Sequence, residues 1–298
     1  KPEEIIFTSG GTESINLAIK GIAFLKGKGH IIVSQIEHPA VLETCKYLET
    51  KGFTVTYMEV DRFGLVSVKK VEKAIRHDTI LISIMYANNE IGTIQPLAEI
   101  GKLAERHKIP FHTDACQAGL LDLNVEALNV DLMTLNSSKT YGPKGAGCLY
   151  IKTGIALTPL LHGGKQEFGL RSGTQNVPAI IGFAAALDRA SLNRKKEAKR
   201  LTNLRDGFLK EILKMPQTKL NGHPTQRLAN NISVSFPAID GEALLNTLDE
   251  QGIYTAIGSA CASHSIQPSH VLMALGVTSE TAQGTLRITL GKYTTKSD

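Results

Sequence analysis

Short runs of apolar and β-branched residues alternate along the first half of the chain with longer amphipathic stretches. The strand-like runs cover residues 4–8, 30–35, 53–60, 79–86, 110–114, 131–135 and 148–152. Between several of them, stretches such as 40–51, 68–76 and 97–107 space their apolar residues as helices with one buried face do. This alternation predicts βαβ units, and therefore an α/β fold with a mostly parallel sheet covered by helices on both faces.

The pattern changes after residue 174. An almost continuous helical stretch over 177–213 is followed by strand-like runs at 231–236, 252–257 and 285–290 and by a helical stretch at 241–251. This mixture predicts a small C-terminal α+β domain. We place the boundary near residue 195, so that a large domain covers 1–195 and a small domain covers 196–298.

Composition is that of an ordinary globular protein, and 298 residues suffice for one large domain or for a large and a small one. The net charge of +5 comes from 33 basic and 28 acidic residues spread over the whole chain. The densest basic run, 194–200, has the spacing of a solvated helix face, so no nucleic-acid partner is expected. No apolar run approaches the ~18 residues that span a bilayer, so no membrane partner is expected either.

Four cysteines are present, at Cys45, Cys116, Cys148 and Cys261. They form no CxxC pair, and no histidine lies at metal-ligand spacing from them, so neither a zinc site nor a disulfide framework is predicted. Unpaired thiols are typical of a reducing compartment, which makes the cytoplasm the expected location.

The first strand-like run leads into residues 9–14, Ser-Gly-Gly-Thr-Glu-Ser, and then into a helix. Glycines let the backbone approach an anion, and the N–H groups of a helix start attract phosphate. Thr12 adds a hydroxyl group. The segment is therefore a candidate phosphate site, with an ordinary helix cap as the alternative interpretation.

Asp114 closes the run 110–114, and Gln117 follows three residues later. Side chains at the carboxyl ends of parallel strands lie at the edge where α/β proteins bind ligands. A lone aspartate in this position is also a common helix cap.

Lys139 lies in the stretch 136–147, just after a strand-like run and before a Gly-Pro-Lys-Gly turn. A lysine in such a place can be held close to a cofactor aldehyde, with which a desolvated amine reacts. A surface lysine before a turn is the alternative. The stretch lacks the Gly-Lys-Ser/Thr ending of a phosphate loop and leads into a strand.

Cys261 lies in 257–265, a run of small residues without apolar periodicity. A loop of this composition favours an exposed thiol that can ionise and react. The alternative is a small buried apolar side chain.

Taken together, eight segments resemble, in the same order, the cysteine desulfurases, which are fold-type-I pyridoxal-phosphate enzymes. They are residues 9–14, Glu37-His38, the Asn-Asn-Glu-Ile-Gly run at 88–92, 112–115, Lys139 with its turn, the Arg-Ser-Gly-Thr run at 171–174, 258–261 and Leu286-Arg287. The resemblance covers essentially the whole chain and implies that fold. In its length, the stretch 261–268 resembles the corresponding loop of the longer-loop subgroup of the family. That subgroup resembles the enzymes that supply sulfur to iron-sulfur scaffold proteins. Compared with the family, the chain is expected to lack an N-terminal segment and a C-terminal tail.

The resemblance implies a role for each matching residue. Lys139 would hold pyridoxal 5'-phosphate through its amine and carry the substrate proton, and Asp114 would pair with the ring nitrogen. Further implied contacts are Gln117 and Asn89 near the phenolic oxygen, His38 on the ring and in proton transfer, Gly11, Thr12 and Ser138 at the phosphate, and Arg287 with Asn89 at the substrate. Thr174 would reach the cofactor phosphate of a partner subunit, which implies a homodimer.

The resemblance also implies a reaction, in which L-cysteine is converted to L-alanine and its sulfur is kept as a persulfide on Cys261. The sulfur would pass to an iron-sulfur scaffold or another acceptor protein. Cys261 could contact a cluster there, although no metal site is expected in the chain itself.

Two departures from the family stand out. Before the lysine, family members usually have Ser, Gly or Ala, then His, whereas this chain has Asn136, Ser137 and Ser138. An altered affinity for the cofactor is therefore expected, although hydroxyl and amide groups can still donate to phosphate. Cys116 beside Asp114 is a second thiol near the predicted ring, and a packed small residue is its favoured interpretation.

Three other classes of function stay open. A selenocysteine lyase or an aminotransferase would use the same scaffold. A sulfur-trafficking scaffold without cofactor would explain the changed residues before Lys139. An unrelated nucleotide-binding protein is the third, and it would lack any complete phosphate-loop motif.

Overall fold

The structure is a computed structural model that describes residues 1–237, 239–258 and 268–298. Within that part of the chain the strands are β1 Ile5–Thr8, β2 His30–Ser34, β3 Thr54–Met58, β4 Thr79–Ser83, β5 Phe111–Asp114, β6 Leu132–Asn136, β7 Gly147–Ile151, β8 Lys219–Leu220, β9 Asn231–Ser235, β10 Ala256–Ile257 and β11 Thr285–Thr289. The helices are α1 Gly11–Lys26, α2 Pro39–Glu49, α3 Val68–Ala74, α4 Leu97–Arg106, α5 Val125–Leu128, α6 Val177–Ile212, α7 Gly241–Glu250, α8 His270–Ala274 and α9 Ser279–Gln283. Short 3-10 turns cover Pro2–Glu4, Ser137–Thr140 and Glu167–Gly169.

The chain forms two compact units. The first consists of Lys1–Met58, Val66–Tyr86 and Gln95–Asn193, and the second of Glu59–Leu65, Ala87–Ile94 and Arg194–Asp298. The division falls within α6 and also assigns two short early segments to the second unit. They bond to its backbone; for example, Ile94 N donates to Gln226 O at 3.0 Å. The division therefore depends on contacts between segments that are distant in sequence, and it does not correspond to a single boundary along the chain.

The first unit is built on a sheet whose described strands have the order β1-β7-β6-β5-β4-β2-β3. The neighbours from β6 to β3 are parallel, whereas β7 pairs antiparallel with both β6 and β1. All residues of β2 are buried, as expected for a strand with no face open to water. The prediction of a mostly parallel sheet in an α/β fold is confirmed.

Helix α1 packs its apolar face against this sheet. Ile15, Ile19 and Ile22 recur at helical spacing, are almost completely buried, and belong to one cluster with Ile31 of β2 and Leu149 of β7. Burial of one such side chain contributes roughly 1.5–3 kcal/mol. Because α1 follows β1 almost directly, this packing also fixes the position of its first turn.

The second unit has an antiparallel sheet, with its described strands in the order β10-β11-β9-β8. Ile232 and Val234 of β9 and Leu286 of β11 pack with Leu209 of α6 to form its core. The predicted small α+β part of the fold is thereby confirmed.

Differences from the sequence-based expectations concern short elements. Of the strand predicted at 252–257 only Ala256–Ile257 forms, because Gly252 has a φ of 76° and the N–H groups of Gly252 and Ile253 bond back to α7. Strand β8 and helices α8 and α9 were not predicted, since so few residues carry no readable periodicity.

No helix in the described part of the chain is long and apolar enough to cross a membrane. Cys45, Cys116 and Cys148 are free thiols. Among the same residues, no group of three or more potential ligands is placed to hold a metal ion.

Candidate active site

Three strands of the first sheet, β1, β5 and β6, end at the same edge. In the sheet register Thr8 of β1 pairs with Gly147 of β7, which also pairs with Asn136 of β6. Asp114, the last residue of β5, pairs with Thr134 of β6. Since β1 and β6 both run antiparallel to β7, their carboxyl ends lie at the same edge as that of β5. Ligands of α/β proteins bind at such an edge.

The turn after β1 brings the start of α1 to this edge. Gly10 is the N-cap residue, and no side chain of the described residues caps the first turn. The N–H groups of that turn can therefore bind an anion. A Cβ atom at Gly11 would lie 2.7 Å from Cys116 Sγ, so glycine allows the helix start to approach the end of β5. Thr12 is exposed beside it.

Asp114 is the buried acid of this edge, with 6% of its surface exposed. Its Oδ1 accepts a hydrogen bond from Cys116 N at 2.9 Å, and its backbone oxygen accepts one from Tyr86 N at 2.9 Å. These bonds fix the direction of the carboxylate, which suits it to pair with a cationic group of a ligand.

The thiol of Cys116 lies between Asp114 and the start of α1. Burial, and then the charge of Asp114, raises the pKa of the Cys116 thiol well above its ordinary value. Because the thiolate is the reactive form of cysteine, Cys116 is a poor nucleophile here. The geometry supports its interpretation as a packed small residue.

His112 lies two residues before Asp114, on the same face of β5. Its Nδ1 is 2.8 Å from Ser83 Oγ of β4, and its Nε2 is 3.0 Å from Thr134 Oγ1 of β6. Burial lowers the pKa of His112 to about 3, so the ring is neutral, with one nitrogen donating and the other accepting. His112 therefore ties three strands together next to Asp114. His112 lies in the matching segment 112–115, but no role was predicted for it from the sequence.

Lys139 lies on the 3-10 turn that follows β6. At the strand end, Asn136 Oδ1 accepts hydrogen bonds from Ser138 N at 3.3 Å and Ser138 Oγ at 3.4 Å. A Cβ atom at Gly142 would collide with Ser137 Oγ, so glycine lets the turn close. The side chains of Ser138 and Lys139 are exposed. The lysine amine is thus accessible on a turn with fixed ends.

His38 is the N-cap residue of α2, and its Nδ1 accepts a hydrogen bond from Ala40 N at 3.1 Å. An accepting Nδ1 carries no hydrogen, so the neutral ring carries its hydrogen on Nε2. In this tautomer Nε2–H is the group through which His38 can donate a hydrogen bond to a ligand. Sequence reasoning did not foresee this cap, because it placed the helix start at residue 40.

Glu37, directly before His38, is a fully buried acid. Its Oε1 accepts hydrogen bonds from Ser34 Oγ at 2.6 Å and from Met85 N at 2.9 Å. Burial raises the pKa of Glu37 to about 8, so the carboxyl group keeps its proton at neutral pH. Glu37 connects the turn that carries His38 to the segment after β4.

An ion pair connects the segment before Thr174 to the start of α1. Arg171 Nε donates to Glu13 Oε1 at 2.8 Å, and Glu13 Oε2 accepts from Ser9 N at 2.8 Å. The Thr174 side chain itself is exposed. Gln117 is partly buried after the end of β5.

Two further predicted residues, Asn89 and Arg287, belong to the second unit. Asn89 lies partly buried in the turn 88–92, and Arg287 lies on β11, paired with Ser233 and Ala256. Cys261 lies outside the described residues. The carboxyl edge of the first sheet carries Gly11, Thr12, His38, Asp114, Gln117, Ser138 and Lys139.

A surface cavity of about 410 Å³ lies elsewhere, at the amino ends of β5 and β6. Its lining mixes acidic and basic side chains, among them Asp131 and Lys152, whose charged atoms are 3.0 Å apart. None of the predicted site residues lines it. This cavity is therefore separate from the candidate site.

Residues 1–298 match the family described as aminotransferase class-V. Together with the mostly parallel sheet and the lysine and aspartate at its carboxyl edge, this match shows that the chain belongs to the class V aminotransferase family. The family uses pyridoxal phosphate, so the cofactor prediction is confirmed.

The relatives narrow this class to the cysteine desulfurase family, to which the chain belongs. A cysteine desulfurase IscS from Methanosarcina thermophila is 55% identical over 299 residues, which are 99% of this chain and 74% of the relative. One of the same name from Dictyoglomus turgidum is 54% identical and covers 100% of this chain and 77% of the relative.

Solved structures agree with this assignment. A NifS-like protein matches with a TM-score of 0.92 at 43% identity, over 100% of this chain and 80% of that one. A structure described as SspA in complex with cysteine matches with a TM-score of 0.85 at 40% identity, over 99% and 83% of the two chains.

The residues at the edge fit pyridoxal phosphate. The start of α1 offers uncapped N–H groups to a phosphate, with a glycine where a Cβ would collide. Asp114 offers a buried, directed carboxylate to a protonated ring nitrogen, and Lys139 offers an accessible amine to the aldehyde.

Proposed function

We propose that this protein is a pyridoxal-phosphate-dependent cysteine desulfurase, which converts L-cysteine to L-alanine and keeps the sulfur as a persulfide on Cys261. One observation carries the proposal: an accessible lysine, a buried directed carboxylate and an uncapped helix start meet at the carboxyl edge of one sheet. When bound, pyridoxal phosphate supplies an electron sink for the substrate carbon.

Lys139 and Asp114 serve the reacting carbon. The amine of Lys139 would hold the cofactor, and the same amine would remove the Cα proton of the substrate cysteine. The Asp114 carboxylate would accept a hydrogen bond from the ring nitrogen and would favour its protonated form. The bond from Cys116 N holds Asp114 in position for this role.

The first turn of α1, with Gly11 and the Thr12 hydroxyl, binds the phosphate. Ser138, exposed and hydrogen-bonded to Asn136, adds a hydroxyl donor where the family usually has other residues. Thr174 reaches the corresponding phosphate in a second copy of the chain, and its exposure supports this role. The working form is therefore a homodimer.

Four side chains orient ring and substrate. His38 would stack on the ring and take part in proton transfer, and in its neutral form Nδ1 accepts from Ala40 N while Nε2–H is the donor. Gln117 and Asn89 donate hydrogen bonds near the phenolic oxygen. Arg287 donates two parallel hydrogen bonds to the substrate carboxylate, with Asn89 nearby.

The sulfur step needs no external oxidant. The thiolate of Cys261 attacks the sulfur of the substrate; a sulfur–sulfur bond forms as the carbon–sulfur bond breaks, and the electron pair stays with the carbon. Protonation of that carbon, and return of the proton that Lys139 removed from Cα, complete L-alanine. One sulfur atom has then moved from cysteine to Cys261, and all atoms are balanced.

The persulfide is passed to an iron-sulfur scaffold or another acceptor protein, and we place this activity in the cytoplasm as a reducing compartment. The free thiols Cys45 and Cys148 support a reducing location.

The experiment is to mix purified protein with pyridoxal phosphate and L-cysteine and to measure L-alanine and the visible absorption band. Lys139→Ala should lose both the band and alanine formation. Cys261→Ala should keep the band and lose alanine formation. An aminotransferase would stay active in Cys261→Ala, and a scaffold without cofactor would show no band even in the wild type; either result contradicts the proposal.

A further inference from the structure

The turn formed by residues 88–92 is held by two buried polar side chains of its own unit. Asn231 Nδ2 donates to the backbone oxygens of Asn89 at 3.3 Å and Glu90 at 3.2 Å. Arg227 Nη2 donates to Asn231 Oδ1 at 3.3 Å and to Ile91 O at 3.2 Å. Because these partners are buried, the backbone of the turn has a fixed position.

The Glu90 side chain extends from this turn to two other segments. Ser269 Oγ donates to Glu90 Oε2 at 2.5 Å. A Cβ atom at Gly258 would lie 3.8 Å from the same Glu90 oxygen and 3.4 Å from the Ser269 Cβ. Glu90 is 3% exposed. One buried carboxylate oxygen therefore lies against both Gly258 and Ser269.

These two residues stand on either side of Cys261 in the sequence. Gly258 directly follows β10, and Ser269 is the N-cap of α8, where its Oγ accepts from Leu272 N at 3.3 Å. Residues 259–267, between them, lie outside the described residues. The separation of the two ends of a segment limits where the residues between them can reach.

We propose that Glu90 is a positioning residue for sulfur transfer. By holding Gly258 and Ser269 side by side against the turn that carries Asn89, it sets where the segment with Cys261 leaves and rejoins the fold. The inference rests on the proposed role of Cys261 as sulfur acceptor. Loss of Glu90 should therefore slow the step in which sulfur moves and leave cofactor binding unchanged.

The test uses Glu90→Ala in protein loaded with pyridoxal phosphate. After rapid mixing with L-cysteine, mass spectrometry of quenched samples measures the rate of persulfide formation on Cys261. We expect this rate to fall about tenfold to a hundredfold, since displacements on the order of 1 Å have effects of that size. The visible absorption band of the loaded protein should match that of the wild type. The cysteine concentration at which half of the change in this band is reached should also match.

Three further variants separate positioning from general damage. Glu90→Gln keeps an acceptor oxygen for Ser269 and should restore most of the rate. Ser269→Ala should slow the step as Glu90→Ala does, and the double variant should be no slower than the slower single one. Glu250→Ala removes an exposed acid of α7 and should behave as the wild type.

A second readout needs neither cofactor nor substrate. Iodoacetamide should alkylate Cys261 at a changed rate in Glu90→Ala and Ser269→Ala, and at the wild-type rate in Glu250→Ala. If Glu90→Ala and Ser269→Ala form persulfide at the wild-type rate, or if their effects multiply in the double variant, the positioning role is wrong and the proposed function stands. If the wild type forms no persulfide on Cys261, the proposed function itself fails.

Discussion

His38 illustrates, at the scale of a single residue, how one side chain can serve both fold and chemistry. Its Nδ1 caps α2 by accepting from Ala40 N, and its Nε2–H remains as a donor toward a ligand. Asparagine caps helices as well as any residue, but it has no titrating ring. The two uses can therefore be separated by substitution.

We expect His38→Asn to unfold at nearly the same denaturant concentration as the wild type while alanine formation falls about a hundredfold or more. His38→Ala should lose the same activity and, in addition, about 1 kcal/mol of stability. Urea unfolding and alanine assays measure both. A fully active His38→Asn variant would show that the ring has no part in proton transfer.

Motif order in the sequence identified His38, Asp114 and Lys139 as candidates, but it did not reveal their neighbours. His112 and Glu90 lie inside recognised motifs, yet no role could be predicted for them. Their partners are far away in sequence: Ser83 is 29 residues from His112, and Ser269 is 179 residues from Glu90. Local patterns carry no information about such pairs.

The strands that build the site could be predicted at the scale of elements, to within one or two residues for β1, β5 and β6. Their order across the sheet could not. Strand β7 separates β1 from β6 through pairs such as Ile5 with Tyr150, and alternation of strands and helices does not specify pairs so distant in sequence. The contact between the start of α1 and the end of β5 depends on that order.

The variant Gly11→Ala tests this contact, because the added Cβ would clash with Cys116 Sγ. Overpacking of this kind costs about 1–3 kcal/mol, so we expect pyridoxal phosphate to bind about tenfold more weakly in absorbance titrations. Adding Cys116→Ala should restore most of the affinity. The control is Gly207→Ala, at a helical position with open space, which should stabilise the fold by about 0.5–1 kcal/mol without changing cofactor affinity. Unchanged affinity in Gly11→Ala would contradict the contact.

At the scale of the whole molecule, Asn89 and Arg287 belong to the second compact unit, and the other predicted site residues that the structure describes belong to the first. Residues 59–65 and 87–94 bond to each other, from Thr93 Oγ1 to Phe63 O at 2.6 Å, and to the rest of the second unit, for example from His223 N to Thr93 Oγ1 at 2.9 Å. Sequence patterns predicted elements well but could not assign these turns, because they have no periodicity of their own.

Two buried histidines bridge strands of the large sheet and make the stability of the molecule depend on pH. His30 on β2 is 2.7 Å from Thr56 Oγ1 and 2.9 Å from Thr79 Oγ1, as His112 bridges β4 and β6. Burial lowers the pKa of His30 to about 4 and that of His112 to about 3, from 6.5.

The unfolded chain therefore binds protons at these rings below about pH 6.5, whereas the folded chain stays neutral there until about pH 4 and 3. Their contribution is complete above pH 6.5 and is lost as the pH falls toward the folded values. When the pH is lowered from 7 to 5, the free energy of unfolding should fall by about 2 kcal/mol less in His30→Gln than in the wild type. Urea unfolding of cofactor-free protein at the two pH values measures this difference. Equal losses would show that His30 is not held neutral.

The most direct test of the proposed function is the mass of the peptide that contains Cys261, measured after pyridoxal-phosphate-loaded protein has reacted with L-cysteine and been quenched with an alkylating reagent. We predict one added sulfur atom on Cys261, formed together with L-alanine, and no added sulfur in Lys139→Ala. Alanine formation without added sulfur on that peptide, or added sulfur that persists in Lys139→Ala, would contradict the proposed desulfurase.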